Sequence, residues 1–491
     1  MRWIVALVLG LLLTGCTLGP DYRRPAVSTP EAWRDGPPAP DAASLADLAW
    51  WDLFQDEELR RLVHAALEAN RDLRIAVTRV DQARAVLGVT RAAQLPDVTA
   101  GGSVTTNRFS DNVPPRDQGG ETDLLATTVD LAFEIDLWGR LRRSSEAARA
   151  ELLASEEARR AVAMTLVSDV ATAYLRLRQL DMELDTTRRN IVSRQSSLQL
   201  VRDRLEAGLT SALDLRQAEA ELASAAAQVP DLQRQIAQTE HQLSVLLGRD
   251  PGSITRGQPL TGQTFPPSVP VGLPSALLER RPDIRQAENA LVAANARIGV
   301  ARAAFFPQIS LTGFFGFESV ALSDLFTGPS RIWQFGPTVT VPIFNAGRNR
   351  ANLALTEAQQ REALLRYEQV IQQAFREVED ALIAYGKARE ALVEQTAAVR
   401  ASREAVSIAE FRYTSGLTSY LDVLDTQRTL LGAEVAESRT LLGQLVAVVQ
   451  LYRALGGGWE TVELEGALGA PPPNLPVHVR CDYRSAVTGE F

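Results

Sequence analysis

Apolar residues recur at every seventh position through two long stretches of the chain that contain no proline. Residues 140–207 lack both Gly and Pro, and residues 348–415 contain one Gly and no Pro. Each stretch has 68 residues, which is about 100 Å of α-helix at a rise of about 1.5 Å per residue. Such long helices with a seven-residue repeat predict coiled-coil packing or a layer of helices packed side by side. The twelve repeat positions are Val170, Leu177, Leu184, Ile191, Leu198, Leu205, Val378, Tyr385, Leu392, Val399, Val406 and Tyr413.

Each long stretch ends in a similar motif, RLEAGLTSALDL at 204–215 and RYTSGLTSYLDV at 412–423. Gly208 and Gly416 fall where each helix must stop, because Gly readily adopts the left-handed conformation that ends helices. Each motif therefore predicts a turn between two antiparallel helices. We expect two long helical hairpins with these motifs at their tips.

A serine follows each tip glycine and is expected to begin the returning helix. Ser211 and Ser419 each stand three residues before an Asp, which is a variant of the capping box. The returning helices are predicted at 212–247 and 420–455. Pro230 is expected to kink or interrupt the first of them, because proline has no backbone N–H to donate.

The two hairpins belong to a duplication that extends beyond the tips. AAQLPDV at 92–98 matches AAFFPQI at 303–309 with an offset of 211 residues. IDLWGRLR at 135–142 matches IFNAGRNR at 343–350 with an offset of 208 residues. The offset therefore changes by three residues between these two matches. A repeat of this length predicts two copies of one structural unit.

The hydrophobic pattern changes to a period of two before each long helix, which is typical of a β-strand with one apolar face. The apolar face of the clearest segment consists of Val129, Leu131, Phe133, Ile135 and Leu137. Strands are predicted at about 97–108, 122–137, 308–318 and 333–344. Each is long enough to be a tilted membrane strand.

The alternative for these strands is a soluble sheet with one buried face. Their aromatic residues, the export signal described below and the lack of an apolar run as long as a membrane helix favour a membrane location. A bilayer admits only helices and closed barrels, because each backbone amide needs a partner. Four strands are too few to close a barrel with a usable lumen, so we expect several chains to contribute to one barrel.

The N-terminus carries an export signal. A basic start is followed by an apolar run, Ile4–Leu13, that is too short to span a membrane, as in a secretory signal peptide. The run ends in LTGC at 13–16, and small residues before a Cys resemble the bacterial lipoprotein signal. We expect a covalent lipid on Cys16, which becomes the mature N-terminus; the alternative is an ordinary signal peptide with an incidental Cys. One acyl chain is a marginal anchor, so other elements are expected to share the anchoring.

Cys481 has no partner once Cys16 is acylated, so no intrachain disulfide is expected.

The sequence predicts the following order of parts. The parts are a signal peptide (1–15), a lipidated extended segment (16–55), repeat 1 (56–247), a linker (248–273), repeat 2 (274–459) and a tail expected to be disordered (460–491).

Charge and motifs exclude several classes of function. The net charge is −9 and no basic stripe is present, so nucleic acid is not an expected partner. The three His residues share no local motif, and no phosphate loop, nucleophile elbow or zinc-protease motif occurs. We expect no catalytic residue, no metal site and no cofactor other than the covalent lipid.

Three segments resemble a known family. GPDYRRP at 19–25, WWDLFQDEEL at 50–59 and LLERRPDIRQAENALVAANARIGVARAAFFPQISLTG at 277–313 are similar to the TolC-like outer-membrane factors, in the subgroup of NodT/OprM-type efflux lipoproteins. The resemblance implies a mainly α fold with a β-barrel part. Three chains would each give four strands to one twelve-stranded barrel, and their hairpins would form a periplasmic α-barrel.

The resemblance also implies an activity and partners. The activity is passive export through an outer-membrane exit duct of a tripartite efflux or secretion system. The partners are two further copies of the chain, outer-membrane lipid, a periplasmic adaptor (membrane fusion protein) and an inner-membrane transporter of RND type.

The resemblance further implies a gate at the second hairpin tip. The family pattern Y-x-x-G-x5-D-V-L-D occurs here, and three copies of its acids would form rings that favour cations and raise the acids' own pKa values. The alternative is that these acids only cap a helix or are solvated, and that the Tyr only packs. Thr418 stands where TolC itself has an Arg, which argues against a gate salt bridge made by that Arg. The predicted gate residues are Asp214, Tyr413, Asp422 and Asp425.

The hairpin tips are the predicted contacts for the adaptor, because their repetition would place six similar tips around a trimer. The alternative is that these residues only form the turn, which accounts for Gly and Ser better than for the repeated Leu and Arg. The predicted adaptor contacts are Arg204, Gly208, Leu209, Ser211, Arg412, Gly416, Leu417 and Ser419.

A second class of protein fits part of the pattern. A periplasmic coiled-coil adaptor or scaffold lipoprotein also carries helical hairpins and a lipid anchor. It would be expected to have one hairpin and no amphipathic barrel strands. The two hairpins and four strands predicted here therefore favour the channel.

Overall fold

The computed structural model describes residues 17–34, 44–110, 120–263 and 270–458. The helices of four or more residues are α1 (Trp50–Leu53), α2 (Glu57–Ala69), α3 (Arg71–Ala92), α4 (Arg140–Glu206), α5 (Ala212–Leu246), α6 (Leu277–Arg280), α7 (Pro282–Ala303), α8 (Arg348–Thr414) and α9 (Tyr420–Ala454). The strands are β1 (Asp97–Phe109), β2 (Gly120–Ile135), β3 (Gln308–Ser319) and β4 (Arg331–Thr340).

The two long hairpins form as the sequence predicts. Helices α4 and α8 have 67 residues each, and their returning partners α5 and α9 have 35 residues each. All twelve positions of the seven-residue repeat are buried or half-buried, so the repeat marks the packed side of both long helices. The chain is thus built from two equivalent units, each with a β-hairpin followed by a helical hairpin.

Pro230 does not interrupt its helix. Helix α5 continues through this position. Proline removes the hydrogen bond to the carbonyl four residues earlier, at Ala226. Both Ala226 and Pro230 are exposed, so water is available to the freed carbonyl and the helix continues.

The core lies where the returning helices end beside the short helices. Asn70 caps α3 and donates from Nδ2 to the carbonyl of Leu246 at the end of α5, at 2.9 Å. In the second unit Arg281 donates from Nη1 to the carbonyl of Ala454 at the end of α9, also at 2.9 Å. These pairs are separated by the offsets of the duplication, so two different side chains satisfy equivalent carbonyls.

The four strands form one antiparallel sheet in the order β1-β2-β3-β4. Its register places the predicted apolar residues on one face, since Val129 lies opposite Phe315 and Phe315 lies opposite Trp333. The other face carries Asp130 opposite Phe314, and Phe314 opposite Gln334. The alternation predicted from the sequence is therefore confirmed across all described strand pairs.

Two strand ends differ from the prediction. β2 ends at Ile135 rather than at residue 137, and β4 ends at Thr340 rather than at residue 344. Pro342 follows closely after the end of β4 and has no N–H to continue the ladder. Ile343, which continues the apolar pattern, is 90% exposed and lies outside the strand.

The N-terminal segment 17–34 runs along the helices without regular structure of its own. It begins beside the base of the sheet, where the amide of Leu18 donates to the carbonyl of Trp138. It ends near the core, where Trp33 Nε1 donates to the carbonyl of Gly272 at 3.0 Å. Between these points Arg24 forms ion pairs with Glu279 and Glu288. The extended segment thus contacts the base of the sheet, helices α6 and α7, and the linker.

Within the described ranges, no helix is both long enough and apolar enough to cross a bilayer.

Candidate functional site

The two hairpin tips have the same backbone conformation. The tip glycines have φ values of 73° and 75°, in the left-handed region that only Gly adopts easily. The amide of Leu209 donates to the carbonyl of Arg204 at 2.7 Å, and the amide of Leu417 donates to that of Arg412 at 2.8 Å. These are the six-to-one bonds of a Schellman ending, as the glycine positions predict.

The capping box forms at the first tip only. Ser211 accepts from the amide of Asp214, and the Asp214 carboxylate accepts from the amide of Ser211. At the second tip the Ser419 side chain makes no such cap. The hydroxyls of Thr418 and Ser419 donate to the Asp422 carboxylate instead. The prediction of a second box was wrong because the amide of Asp422 donates to the backbone carbonyl of Ser419 at 3.3 Å rather than to the Ser419 hydroxyl.

The predicted gate acids have different surroundings. Burial by itself raises the pKa of Asp214, but hydrogen bonds from Thr210 and Ser211 outweigh it and hold that pKa below its ordinary value. The hydrogen bond from Thr418 holds the pKa of Asp422 below its ordinary value. Asp425 is exposed. In a single chain Asp214 and Asp422 therefore favour the charged form. The predicted rise of the pKa values requires repulsion between copies in an assembly.

Tyr413 lies inside the contact between the two hairpins. Its side chain is buried, and its ring centroid is 5.4 Å from that of Tyr420. Burial raises the pKa of Tyr420 to about 12, and the charge of Asp214 contributes to the rise. Tyr413 thus packs with Leu198 and Val201 of the first hairpin. Asp214 is bound within its own tip by Thr210 and Ser211, and Asp422 and Asp425 lie on the exposed side of α9.

The repeated arginines of the tips are not equivalent. Arg204 lies over the ring of Tyr413, with 4.9 Å between its Cζ and the ring centroid, and it donates to the carbonyl of Thr414 at 3.2 Å. Arg412 is exposed. Arg204 therefore joins the two hairpins, while Arg412 is accessible to a partner.

The remaining predicted adaptor contacts lie at the surface. Leu209 and Leu417, which occupy equivalent places in the two tips, are 65% and 66% exposed. The exposed turn residues are Gly208, Ser211, Gly416 and Ser419.

An ion-pair cluster, which we call the inter-hairpin clasp, joins Arg194 of α4, Glu221 of α5 and Arg428 of α9. Glu221 accepts from both guanidinium groups. The hydrogen bond from Arg428 holds the pKa of Glu221 below its ordinary value. Arg194 is buried, and Arg428 is exposed.

The repeat pattern of the sequence does not predict the inter-hairpin clasp. The clasp could have been found as a difference between the two copies, because its three charged residues occur in only one copy each. The equivalent positions in the other unit hold the uncharged residues Ser402, Thr429 and Ala220.

Cys16, the predicted lipidation site, lies outside the described residues, as do Cys481 and the tail. The neighbouring Thr17 is described and lies against Gly139, at the junction between the sheet and α4. A side chain at Gly139 would come within 2.8 Å of the Thr17 methyl group.

Comparison with known proteins identifies the class of protein to which this fold and these hairpin tips belong. The family model "outer membrane efflux protein" matches residues 62–249 and 273–457. Outer membrane protein OprJ of Pseudomonas aeruginosa is 41% identical over 93% of this chain and 96% of its own length. The solvent efflux pump outer membrane protein SrpC of Pseudomonas putida is 41% identical over 91% of this chain and 97% of its own length.

Solved structures agree with this assignment. The outer-membrane channel OprN has a TM-score of 0.85 at 33% identity, over 90% of this chain and all of that one. The open state of the MtrE outer membrane channel of Neisseria gonorrhoeae has a TM-score of 0.82 at 34% identity, over 90% of this chain and 99% of that one.

The fold, with two helical hairpins and a four-stranded sheet in one chain, is that of the outer-membrane efflux channels. The chain belongs to the outer membrane efflux protein family. It is the exit channel of a tripartite efflux system, located in the outer membrane with a large helical part in the periplasm.

Proposed function

We propose that three copies of this chain assemble into one passive duct, with no catalytic step of its own. The observation that carries this proposal is the open four-stranded sheet, in which β1 and β4 are free edges. Strand edges in a bilayer need partners, because unpaired amides are costly there. Twelve strands from three chains make an even-numbered barrel of a size common in outer membranes.

The two faces of the sheet suit lipid and water. Phe315, Phe335 and Trp333 lie on one face and are 50%, 61% and 72% exposed in the single chain. Exposed apolar area of this extent is stable in contact with lipid. The opposite face carries four acids and no Lys or Arg within the described strand residues, so the lumen is negatively charged. The four acids are Asp97, Asp130, Glu134 and Glu318.

Cys16 carries the lipid anchor in this proposal. The support is the position of the adjoining residue, since Thr17 lies at the junction of the sheet with α4. The amide of Leu18 is held by the Trp138 carbonyl at 3.1 Å, and the Leu18 carbonyl accepts from Arg143 Nε at 3.2 Å. An acyl chain attached one residue earlier would start close to the membrane boundary.

The hairpin tips bind the periplasmic adaptor, and an inner-membrane transporter of RND type delivers the substrate. The support is the pair of exposed tip leucines, Leu209 and Leu417, with Arg412 beside the second. Leu213 and Leu421 are also exposed near the tips, at 64% and 56%, and a group of exposed apolar side chains is typical of an interaction surface. Arg204 contributes indirectly, because it is bound to the second hairpin through Tyr413.

The gate lies at the second tip. Asp422 and Asp425 are both exposed on α9, and Asp422 is ionised well below neutral pH. Three copies of these acids would form a ring of negative charge at the narrow end of the duct. Tyr413 acts from within the contact between the hairpins, where Arg204 of the first tip lies over its ring, and Asp214 acts from the start of the returning helix of the first tip.

The test of the duct is a pore measurement on purified protein from the outer-membrane fraction. We expect trimers that dissociate on heating in a denaturing gel and discrete conductance steps in planar bilayers. A water-soluble monomer that forms no pore would overturn the proposal. The anchor is tested separately by mass spectrometry of the mature N-terminus, where an unmodified Cys16 would remove the lipid from the proposal.

A further inference from the structure

Two carboxylates of the second unit bind a guanidinium group supplied by the chain itself. Arg281 donates to Asp283 at 3.0 and 2.6 Å, to Glu377 at 2.9 Å and to the carbonyl of Ala454 at 2.9 Å. Two carboxylates and one peptide carbonyl thus form a complete guanidinium site.

The first unit has the same acceptors but lacks the arginine. The duplication has an offset of 211 residues for the short helices and of 208 residues for the hairpins. These offsets convert Arg281, Asp283, Glu377 and Ala454 into Asn70, Asp72, Asp169 and Leu246, respectively. Asn70 donates to the carbonyl of Leu246 at 2.9 Å, so it replaces one hydrogen bond of the arginine. Its neutral side chain supplies no positive charge to the two carboxylates.

The structure brings these four equivalents together. Asn70, Asp72, Asp169 and Leu246 all line a cavity of about 400 Å³ beside α4. Helix α3 packs on α4 as α7 packs on α8, so the helices that carry the two carboxylates adjoin each other in both units. The side chain of Asp169 is one methylene shorter than that of Glu377, which leaves more room for an occupant.

Neither Asp72 nor Asp169 has a direct hydrogen bond or ion pair in the part of the chain that the structure describes. Partial burial raises the pKa of Asp169 above its ordinary value, and the charge of Arg453 offsets part of this rise. Arg453 itself donates to Gln450 at 3.1 Å and lies 3.9 Å from Glu377. Both carboxylates of the cavity are exposed, so they are accessible to a cation from solution.

The cavity also has an apolar wall, formed by one face of α4. The apolar residues of this wall are Ala158, Ala161, Val162 and Leu166. In the second unit, the positions equivalent to the two alanines hold Arg366 and Gln369, which have long polar side chains. The alanines therefore leave apolar surface open along about 16 Å of the helix, measured from Asp169.

We propose that this cavity binds a small organic cation that carries a guanidinium group on an aliphatic chain. The guanidinium donates to Asp72 and Asp169, in the manner of Arg281 in the second unit, and the aliphatic chain lies on α4. A guanidinium suits two carboxylates better than an ammonium ion does, because its donors are fixed in one plane. All residues of the site belong to one chain, so the inference does not depend on the proposed duct.

The experiment measures binding of butylguanidinium to the full-length protein in detergent by ligand-observed NMR. Butylurea serves as a neutral probe of the same shape. We expect saturable binding of butylguanidinium and at least tenfold weaker binding of butylurea, because a hydrogen bond between charged groups is worth about a power of ten in affinity.

The substitution Asn70→Arg supplies the guanidinium from the chain, as in the second unit. It is expected to abolish binding of butylguanidinium. Asn70→Met fills similar space without a charge, so Asn70→Arg is also expected to unfold at a higher temperature than Asn70→Met.

A conservative variant covers the case in which Asn70→Arg fails to fold. Asp169→Asn keeps the size of the side chain and is expected to weaken binding of butylguanidinium at least tenfold. Glu404→Gln removes one charge from an exposed position of α8 outside the cavity, and is expected to leave the affinity unchanged.

The outcomes separate this site from the proposed function. Equal affinity for butylguanidinium and butylurea, or equal affinity of the wild type and Asp169→Asn, would overturn the site. Absence of binding to wild-type trimers that form normal pores would overturn the site and leave the duct intact. Specific binding by wild-type protein that forms no pores would support the site and overturn only the duct.

Discussion

Loss of the Arg281 side chain is expected to destabilise the protein severely. It is 3% exposed, and its guanidinium binds three acceptors from different parts of the second unit. Nη2 donates to Asp283 at 2.6 Å and to Glu377 at 2.9 Å, and Nη1 donates to the carbonyl of Ala454 at 2.9 Å. The substitution Arg281→Met keeps most of the apolar volume and removes all of these hydrogen bonds.

The size of the expected destabilisation depends on the carboxylates that lose their partner when Arg281 is removed. Removing one partner of a buried ion pair leaves the other charge uncompensated, which costs about 3–5 kcal/mol. Glu377 is only one-fifth exposed, and Asp283 one-third, so Glu377 accounts for most of this cost. A destabilisation of about 3–5 kcal/mol changes the unfolding equilibrium by about two to three and a half powers of ten.

The assay is unfolding by guanidinium chloride in detergent, followed by tryptophan fluorescence, with Arg280→Met as the matched control. Arg280 pairs with Asp47 at 2.6 Å, but its side chain is 31% exposed. A pair of this kind contributes about 1 kcal/mol or less. A loss of less than about 1 kcal/mol in Arg281→Met, or a loss equal to that of Arg280→Met, would refute the reasoning.

The pH dependence of the free energy of unfolding gives a second check on the role of Arg281, and its expected direction is known. Burial by itself raises the pKa of Glu377, but hydrogen bonds from Gln373 and Arg281 outweigh it, and the pKa lies below the ordinary value of 4.5. A carboxyl with a lowered pKa stabilises the fold above its ordinary value and loses this contribution as pH falls. Without Arg281, Glu377 keeps only the longer ion pair with Arg453, at 3.9 Å, and the hydrogen bond from Gln373. Protonation removes this poorly compensated charge, so the deficit of Arg281→Met is expected to shrink near pH 4.5.

Three further predictions concern the tips. Asp422→Ala combined with Asp425→Ala is expected to raise single-channel conductance in planar bilayers, and unchanged conductance would remove these acids from the gate. Glu221→Gln is expected to increase conductance at neutral pH by releasing the inter-hairpin clasp, and equal conductance of variant and wild type would contradict this. In the wild type, acid is expected to release the clasp only below the ordinary Glu pKa of 4.5, because the pKa of Glu221 is lowered. Arg412→Glu is expected to reduce export at least tenfold in a drug-accumulation assay with trimers intact, and normal export would count against adaptor binding there.

Much of the fold was accessible from the sequence because it depends on local patterns. The long helices begin and end within about one residue of their predicted limits, since Gly139, Gly208, Gly347 and Gly416 mark their ends and no proline intervenes. The strand faces were accessible because a period of two assigns each side chain to one face.

At the hairpin tips, local sequence patterns did not predict which side chains would contact each other. The motifs predicted two capping boxes and two equivalent arginines, but Ser419 makes no side-chain cap, and Arg204 lies on Tyr413. These outcomes depend on which neighbour comes within hydrogen-bond reach in three dimensions. Similar motifs therefore differ in role when their surroundings differ.

By itself, the sequence determined the duplication, the hairpins, the strand faces and the family, because each is encoded in spacing along the chain. Only the tertiary structure decided the clasp between Arg194, Glu221 and Arg428, and the cavity that Asp72 and Asp169 line. Side chains far apart in sequence meet only after the two units pack against each other. Periodicity specifies the buried side of a helix, whereas its partner depends on the geometry of the whole chain.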